Sequence, residues 1–97
     1  MNAYEATLAT AKLFEQRPEL FDFCKVSVPL CGAPGCALGY IGYFMGHYGE
    51  VSGESAVGIP EEEFYDRMDE LVTGEWVYKA SICAAGLRLY AEKYLKP

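Results

Sequence analysis

Between Cys31 and Gly49 the chain reads CGAPGCALGYIGYFMGHYG, and Gly35, Gly39, Gly42, Gly46 and Gly49 recur there at spacings of four, three, four and three. On a helix that advances about 100° per residue, these five positions share a stripe roughly 80° wide. Glycine costs about 1 kcal/mol relative to alanine inside a helix. A stripe of this kind therefore predicts close approach of another backbone. Pro34 suits the first helical position, where a missing N–H does no harm, and the reading places a helix over residues 34–48. Off the stripe this helix carries Leu38, Tyr40, Ile41, Tyr43, Phe44 and Met45. It is apolar nearly all round, which marks a buried central element. Gly39, Gly42 and Gly46 are its expected contact points, and the small residues Ala80, Ala84 and Gly86 single out residues 80–91 as the partner helix.

The same run raises the question of a membrane. No Lys, Arg, Asp or Glu occurs from Val26 to Gly49, and glycines four apart recur in transmembrane helix dimers. However, Pro29 and Pro34 leave only about fifteen residues of continuous helix, or roughly 22 Å. A bilayer core needs about 20 residues. A buried core helix accounts for the run, and no membrane span is expected.

Three further helices follow from local signals. Asn2 is a suitable N-cap for a helix ending at Gln16, because Arg17 precedes Pro18 and is pushed out of the helical region. A short turn over residues 18–23 offers Leu20, Phe21 and Phe23 to the core. Pro60 opens a third helix with Glu61, Glu62 and Glu63 in its first turn, favourable against the helix dipole. Its buried stripe is Phe64, Met68, Leu71 and Val72, and Gly74 is its stop. A fourth helix is expected over residues 75–96, with Ala80, Cys83, Ala84, Leu87, Ala91 and Tyr94 facing inward and Trp76 as a structural residue near its start. The expected fold is all-α: one compact domain, residues 1–97, of about four helices around the glycine-striped one.

A hydrophobic fraction of 52% with 23% charged residues describes a folded chain. The net charge of −6 weighs against nucleic acid and anionic membrane as partners, since both need a basic surface. Seven of the fourteen acids lie between Glu61 and Glu75, as a solvated face or as a recognition surface. In the second reading Glu61, Glu62, Asp66, Asp69 and Glu70 engage a basic surface on a protein partner. Self-association through the surplus of aromatic and small residues is the other partner reading.

The cysteines supply the competing class of function. Cys24, Cys31, Cys36 and Cys83, with His47, form a candidate metal set, but their spacings match no zinc template. On one continuous helix Cys36 and His47 stand roughly 16 Å apart, too far to share an ion. Cys31 and Cys36 flank a turn at a helix N-terminus, where the dipole lowers a thiol pKa. A structural metal or a redox switch is thus the alternative to protein binding. His47 is the only histidine and is expected to cap the end of the core helix. No nucleophile motif, P-loop or dinucleotide fingerprint is present, so no reaction is named and no cofactor is expected. The N-terminus lacks the basic start and apolar run of a signal peptide, which predicts a cytoplasmic protein with reduced thiols.

Several short segments resemble a group of small phage and bacterial proteins built around a CGTxxCxAGxA motif. In that group a PxxF turn precedes the motif, and an LGLTxxEAxxLF-like segment, a tryptophan and an alanine-rich helix follow it. Here the turn resembles Pro18 to Phe21, and the core motif resembles Cys31 to Gly39. Val57 to Phe64 with Met68 is similar to the later segment, and Trp76 to the tryptophan. Ala33 stands where the group has Thr, and Leu38 and Tyr40 are larger than usual. The resemblance implies a small helical intracellular protein in which Cys31, Cys36 and Gly39 matter to the fold; it carries no activity to transfer.

Overall fold

The computed structural model describes residues 1–22, 35–46 and 57–97. Helix α1 spans Ala3–Gln16. It starts at Asn2 because a capping box satisfies the first turn. The Glu5 N–H donates to Asn2 Oδ1 at 2.8 Å, and the Asn2 N–H donates to Glu5 Oε1 at 3.1 Å. Ala6, Thr7, Thr10, Ala11 and Phe14 form its buried face. Pro18 then turns the chain into one 3-10 turn, Pro18–Leu20, as the residue pair Arg17-Pro18 requires.

Past that turn, the Gly35 N–H donates to the Leu20 carbonyl at 2.8 Å and the Asp22 N–H donates to the Gly35 carbonyl at 2.9 Å. This single parallel bridge brings the entry of α2, Ala37–Phe44, beside the exit of α1. Six consecutive residues of α2, Ala37 to Gly42, are buried, and the helix has no exposed residue. Its apolar, buried character is as expected, with Tyr43 and Phe44 half-buried at its end.

Its bounds and neighbour differ from expectation. Cys36, not Pro34, sets the start; Pro34 and His47 lie outside the described residues. The helix stops at Phe44 because Gly46 turns to φ +90°, a left-handed conformation in which an L side chain is strained. Gly46 is therefore a helix stop and not a packing surface. Gly35 stands before the helix, which leaves Gly39 and Gly42 as the glycines inside it, both buried. Their helix lies against α1 and not against residues 80–91. Phe14 and Tyr40 meet edge-to-face across that contact, with ring centroids 5.6 Å apart.

Helix α3 spans Glu61–Leu71 with Phe64 and Met68 buried. The fourth helix begins later than expected, since a 3-10 turn, Gly74–Val77, intervenes and buries Trp76. Helix α4 is Ala80–Tyr90, continued by a π-helical turn, Ala91–Leu95. The other elements gather on α4: α1 lies along it, and α3 and the Trp76 turn pack beside it. Two surface links fasten α1 to it. Arg88 holds Glu15 with both forks, Nε at 2.8 Å and Nη2 at 2.6 Å, and the Tyr4 hydroxyl donates to Glu92 at 2.9 Å. The all-α fold of four helices is as expected, but α4 and not the glycine-striped α2 stands at its centre. Among the described residues there is no strand, and no helix is long and apolar enough to cross a membrane.

Gly86 is where a missing side chain matters most visibly. A Cβ there would stand 2.7 Å from Met68 Cε and 3.0 Å from Val72 Cγ2, so α3 crosses α4 at this glycine. Alanine requires only that the flexible end of Met68 and one Val72 methyl give way, offset by about 1 kcal/mol of helix propensity. Leucine overpacks the crossing, at a cost of about 1–3 kcal/mol. Thermal melts should show Gly86→Ala close to the parent and Gly86→Leu well below it; equal melting would refute the crossing. The Glu15–Arg88 pair sets a second expectation. The Arg88 hydrogen bond holds the Glu15 carboxyl below its ordinary value of 4.5. Its contribution is complete above that value and is lost as pH falls through the lowered one. Glu15→Gln should flatten that part of the acid-unfolding limb and leave the limb above pH 6 parallel to the parent.

Candidate functional site

The charge of the molecule resides on α3. Six carboxylates against the single Arg67 leave Glu61–Leu71 at −5, out of −6 for the whole chain. Elsewhere most of the described charges pair off: Arg17 with Glu19 at 3.2 Å, Lys79 with Glu75 at 3.9 Å, Arg88 with Glu15 at 2.6 Å, and Lys96 with Glu92 at 3.1 Å. Such exposed pairs add little stability, but they neutralise the surface around α3 and leave its field uncompensated.

The roll of α3 decides which carboxylates face outward. Phe64 and Met68 are fully buried, so the opposite side of the helix must be solvated. Glu62, Asp66 and Glu70 are exposed there and form no ion pair among the described residues. They stand four residues apart, about 6 Å of rise per step, and make one ridge. The other two residues of the expected recognition set have structural partners. Glu61 is half-buried on the core side and accepts the Tyr65 hydroxyl. Asp69 is exposed, but its Oδ1 accepts the indole N–H of buried Trp76 at 2.7 Å. That contact ties α3 to the turn before α4 and gives Trp76 the polar partner that a buried indole needs. Glu63, outside the expected set, reaches Arg67 at 3.5 Å.

The cysteines are placed differently. Cys36 caps α2, its Sγ accepting the Gly39 N–H at 3.3 Å, and Cys83 is fully buried on the inner face of α4. Both are free thiols. The expectation of an activated thiol at the helix N-terminus is overturned for Cys36. Burial pushes its pKa up, the Gly39 hydrogen bond offsets only part of that, and the Glu61 carboxylate adds to the rise. Burial raises the Cys83 thiol as well. A protonated, enclosed thiol is a poor nucleophile and a poor metal ligand. Among the described residues, no three His, Cys, Asp or Glu side chains converge as the ligands of an ion would. Cys24 and Cys31 lie outside the described residues.

One cluster that the sequence reading missed sits at the C-terminal end. The guanidinium carbon of Arg67 lies 4.4 Å from the centre of the Tyr94 ring, and Lys93 Nζ lies 5.2 Å from the same centre. Arg67 and Tyr94, 27 positions apart in sequence, carry no local signal of such a meeting. Compared with protein families, with characterised proteins and with solved structures, the chain matches none.

Alkylation of the native protein, resolved peptide by peptide in a mass spectrometer, tests the placement of the thiols. Cys36 and Cys83 should label only after denaturation, even at pH 8.5; prompt labelling of either would contradict its burial.

Proposed function

We propose that this protein acts by binding another protein, presenting the Glu62–Asp66–Glu70 ridge to a basic surface on its partner. The observation that carries this reading is the concentration of nearly the whole net charge on one helix, with three carboxylates aligned and unpaired. Nucleic acid and anionic lipid repel such a face. A cationic groove is attracted to it, and its association rate rises with the field. A second copy of the chain is a poorer match. Of the described Lys and Arg, only Lys12 and Lys93 stand outside an ion pair, too few to complement the ridge. Within this reading the resemblance to phage proteins favours a cytosolic accessory or inhibitory factor, one that occupies a basic site on a host or viral protein.

The test replaces Glu62, Asp66 and Glu70 by lysine and leaves Asp69 intact, because Asp69 anchors Trp76. Proteins captured by the parent should be basic and should elute as salt shortens the screening length to about 3 Å near 1 M. The triple variant should keep its melting temperature within a few degrees and lose that capture. Undiminished, salt-insensitive capture by the variant would overturn the proposal.

A further inference from the structure

Trp76 and Tyr65 are oxidisable side chains in ring contact, and each holds its proton against a carboxylate. We propose that the pair is a proton-coupled relay, which carries a one-electron oxidising equivalent from the buried indole to the half-buried phenol. The inference stands whether or not the Glu62–Asp66–Glu70 ridge binds a protein.

Three observations carry it. The first is contact: the ring centroids lie 5.5 Å apart, with the planes inclined at 51°, inside the range of packed aromatic pairs. An electron crosses between π-systems at this separation without movement of the chain. The second is that both protons have an acceptor in place. The Trp76 indole N–H donates to Asp69 Oδ1 at 2.7 Å, and the Tyr65 hydroxyl donates to Glu61 Oε1. Loss of an electron turns a neutral phenol into a strong acid, and a base already within hydrogen-bond reach takes its proton in the same step. Tyr65 enters that step protonated, because burial and then the Glu61 hydrogen bond push its pKa up. The third is direction. Trp76 is buried, whereas Tyr65 and Glu61 are partly exposed. Phe64, which meets Trp76 at 6.4 Å, has a ring far harder to oxidise than a phenol and offers no competing exit.

A one-electron oxidant removes an electron from Trp76 and leaves an indole radical cation hydrogen-bonded to the Asp69 carboxylate. One electron then passes from Tyr65 to Trp76, and the phenolic proton passes to Glu61. The indole is restored with its N–H in place. The products are a tyrosyl radical and a protonated Glu61, which exchanges its proton with water. A one-electron reductant such as ascorbate returns the electron, and the proton with it, to Tyr65.

Trp76 is the only tryptophan, so a laser flash absorbed by indole and not by phenol starts the reaction at one place. Dissolved oxygen captures the ejected electron as superoxide. In the parent protein the indole radical band should decay as a tyrosyl band grows at the same rate, and both should slow in heavy water. Tyr65→Phe keeps the ring and removes the hydroxyl; it should abolish the tyrosyl band and prolong the indole radical. Glu61→Gln keeps a hydrogen-bond acceptor that cannot take the proton, and should slow the transfer at least about tenfold. A tyrosyl band that persists in Tyr65→Phe, or an indole decay unchanged by that substitution, would overturn the pair. A parent transfer rate indifferent to heavy water would overturn the coupled proton without recourse to any variant, and a rate unchanged in Glu61→Gln would overturn Glu61 as its acceptor.

Discussion

The closeness of α3 to α4 at Gly86 is the contact on which the remaining geometry turns. With no side chain at that position, Met68 and Val72 come down onto the α4 backbone. Phe64 enters the core beside Tyr90, ring centroids 5.0 Å apart, and meets Trp76 edge-on at 6.4 Å. A larger residue at 86 would lift α3 and roll it. Because the roll of α3 also determines where its carboxylates point, a single missing methyl group governs both the packing of the aromatic core and the direction of the charged face. Asp69 locks the same roll from outside by accepting the Trp76 indole N–H.

Local chemistry was legible wherever one residue type had one reason to be present. Asn2 as an N-cap gave the start of α1, Pro18 gave its end, and Pro60 gave the start of α3, all as found. The glycine stripe misled because a glycine has two uses that a periodicity cannot separate. Gly39 and Gly42 are buried within a helix, whereas Gly46 ends it through a positive φ. The close crossing falls at Gly86, which is one glycine in a run of alanines with no periodic signal. Residues 75–79 read as helix by pattern, yet the chain breaks there, because burying Trp76 against α3 overrides the local preference.

The candidate site divides along the same line. That α3 is acidic on one side and apolar on the other could be read from Phe64, Met68 and the surrounding acids. Which carboxylates are engaged could not: Asp69 finds Trp76 across a turn, and Glu61 finds Tyr65 on its own inner side. The thiol chemistry was legible in position and wrong in sign. Cys36 does stand at a helix N-terminus, but the dipole that lowers a thiol pKa acts there against burial, and burial is the larger effect.

Stability does not account for the composition of α3. Glu61, Glu62 and Glu63 suit the positive end of the helix dipole, but Asp69 and Glu70 fall near its negative end, where no basic residue stands in the last turn. Glu62 with Asp66, and Asp66 with Glu70, are like charges four residues apart, each pair destabilising by about 0.2–0.5 kcal/mol. A lysine at position 66 would turn both repulsions into attractions while keeping the buried stripe of Phe64 and Met68 unchanged. The chain forms such pairs elsewhere, at Glu63–Arg67, Glu75–Lys79 and Glu92–Lys96, so the device is available to it and is absent along the ridge. A surface that forgoes local stabilisation, on the one helix that carries nearly all the net charge, is what the proposed binding to a basic partner calls for.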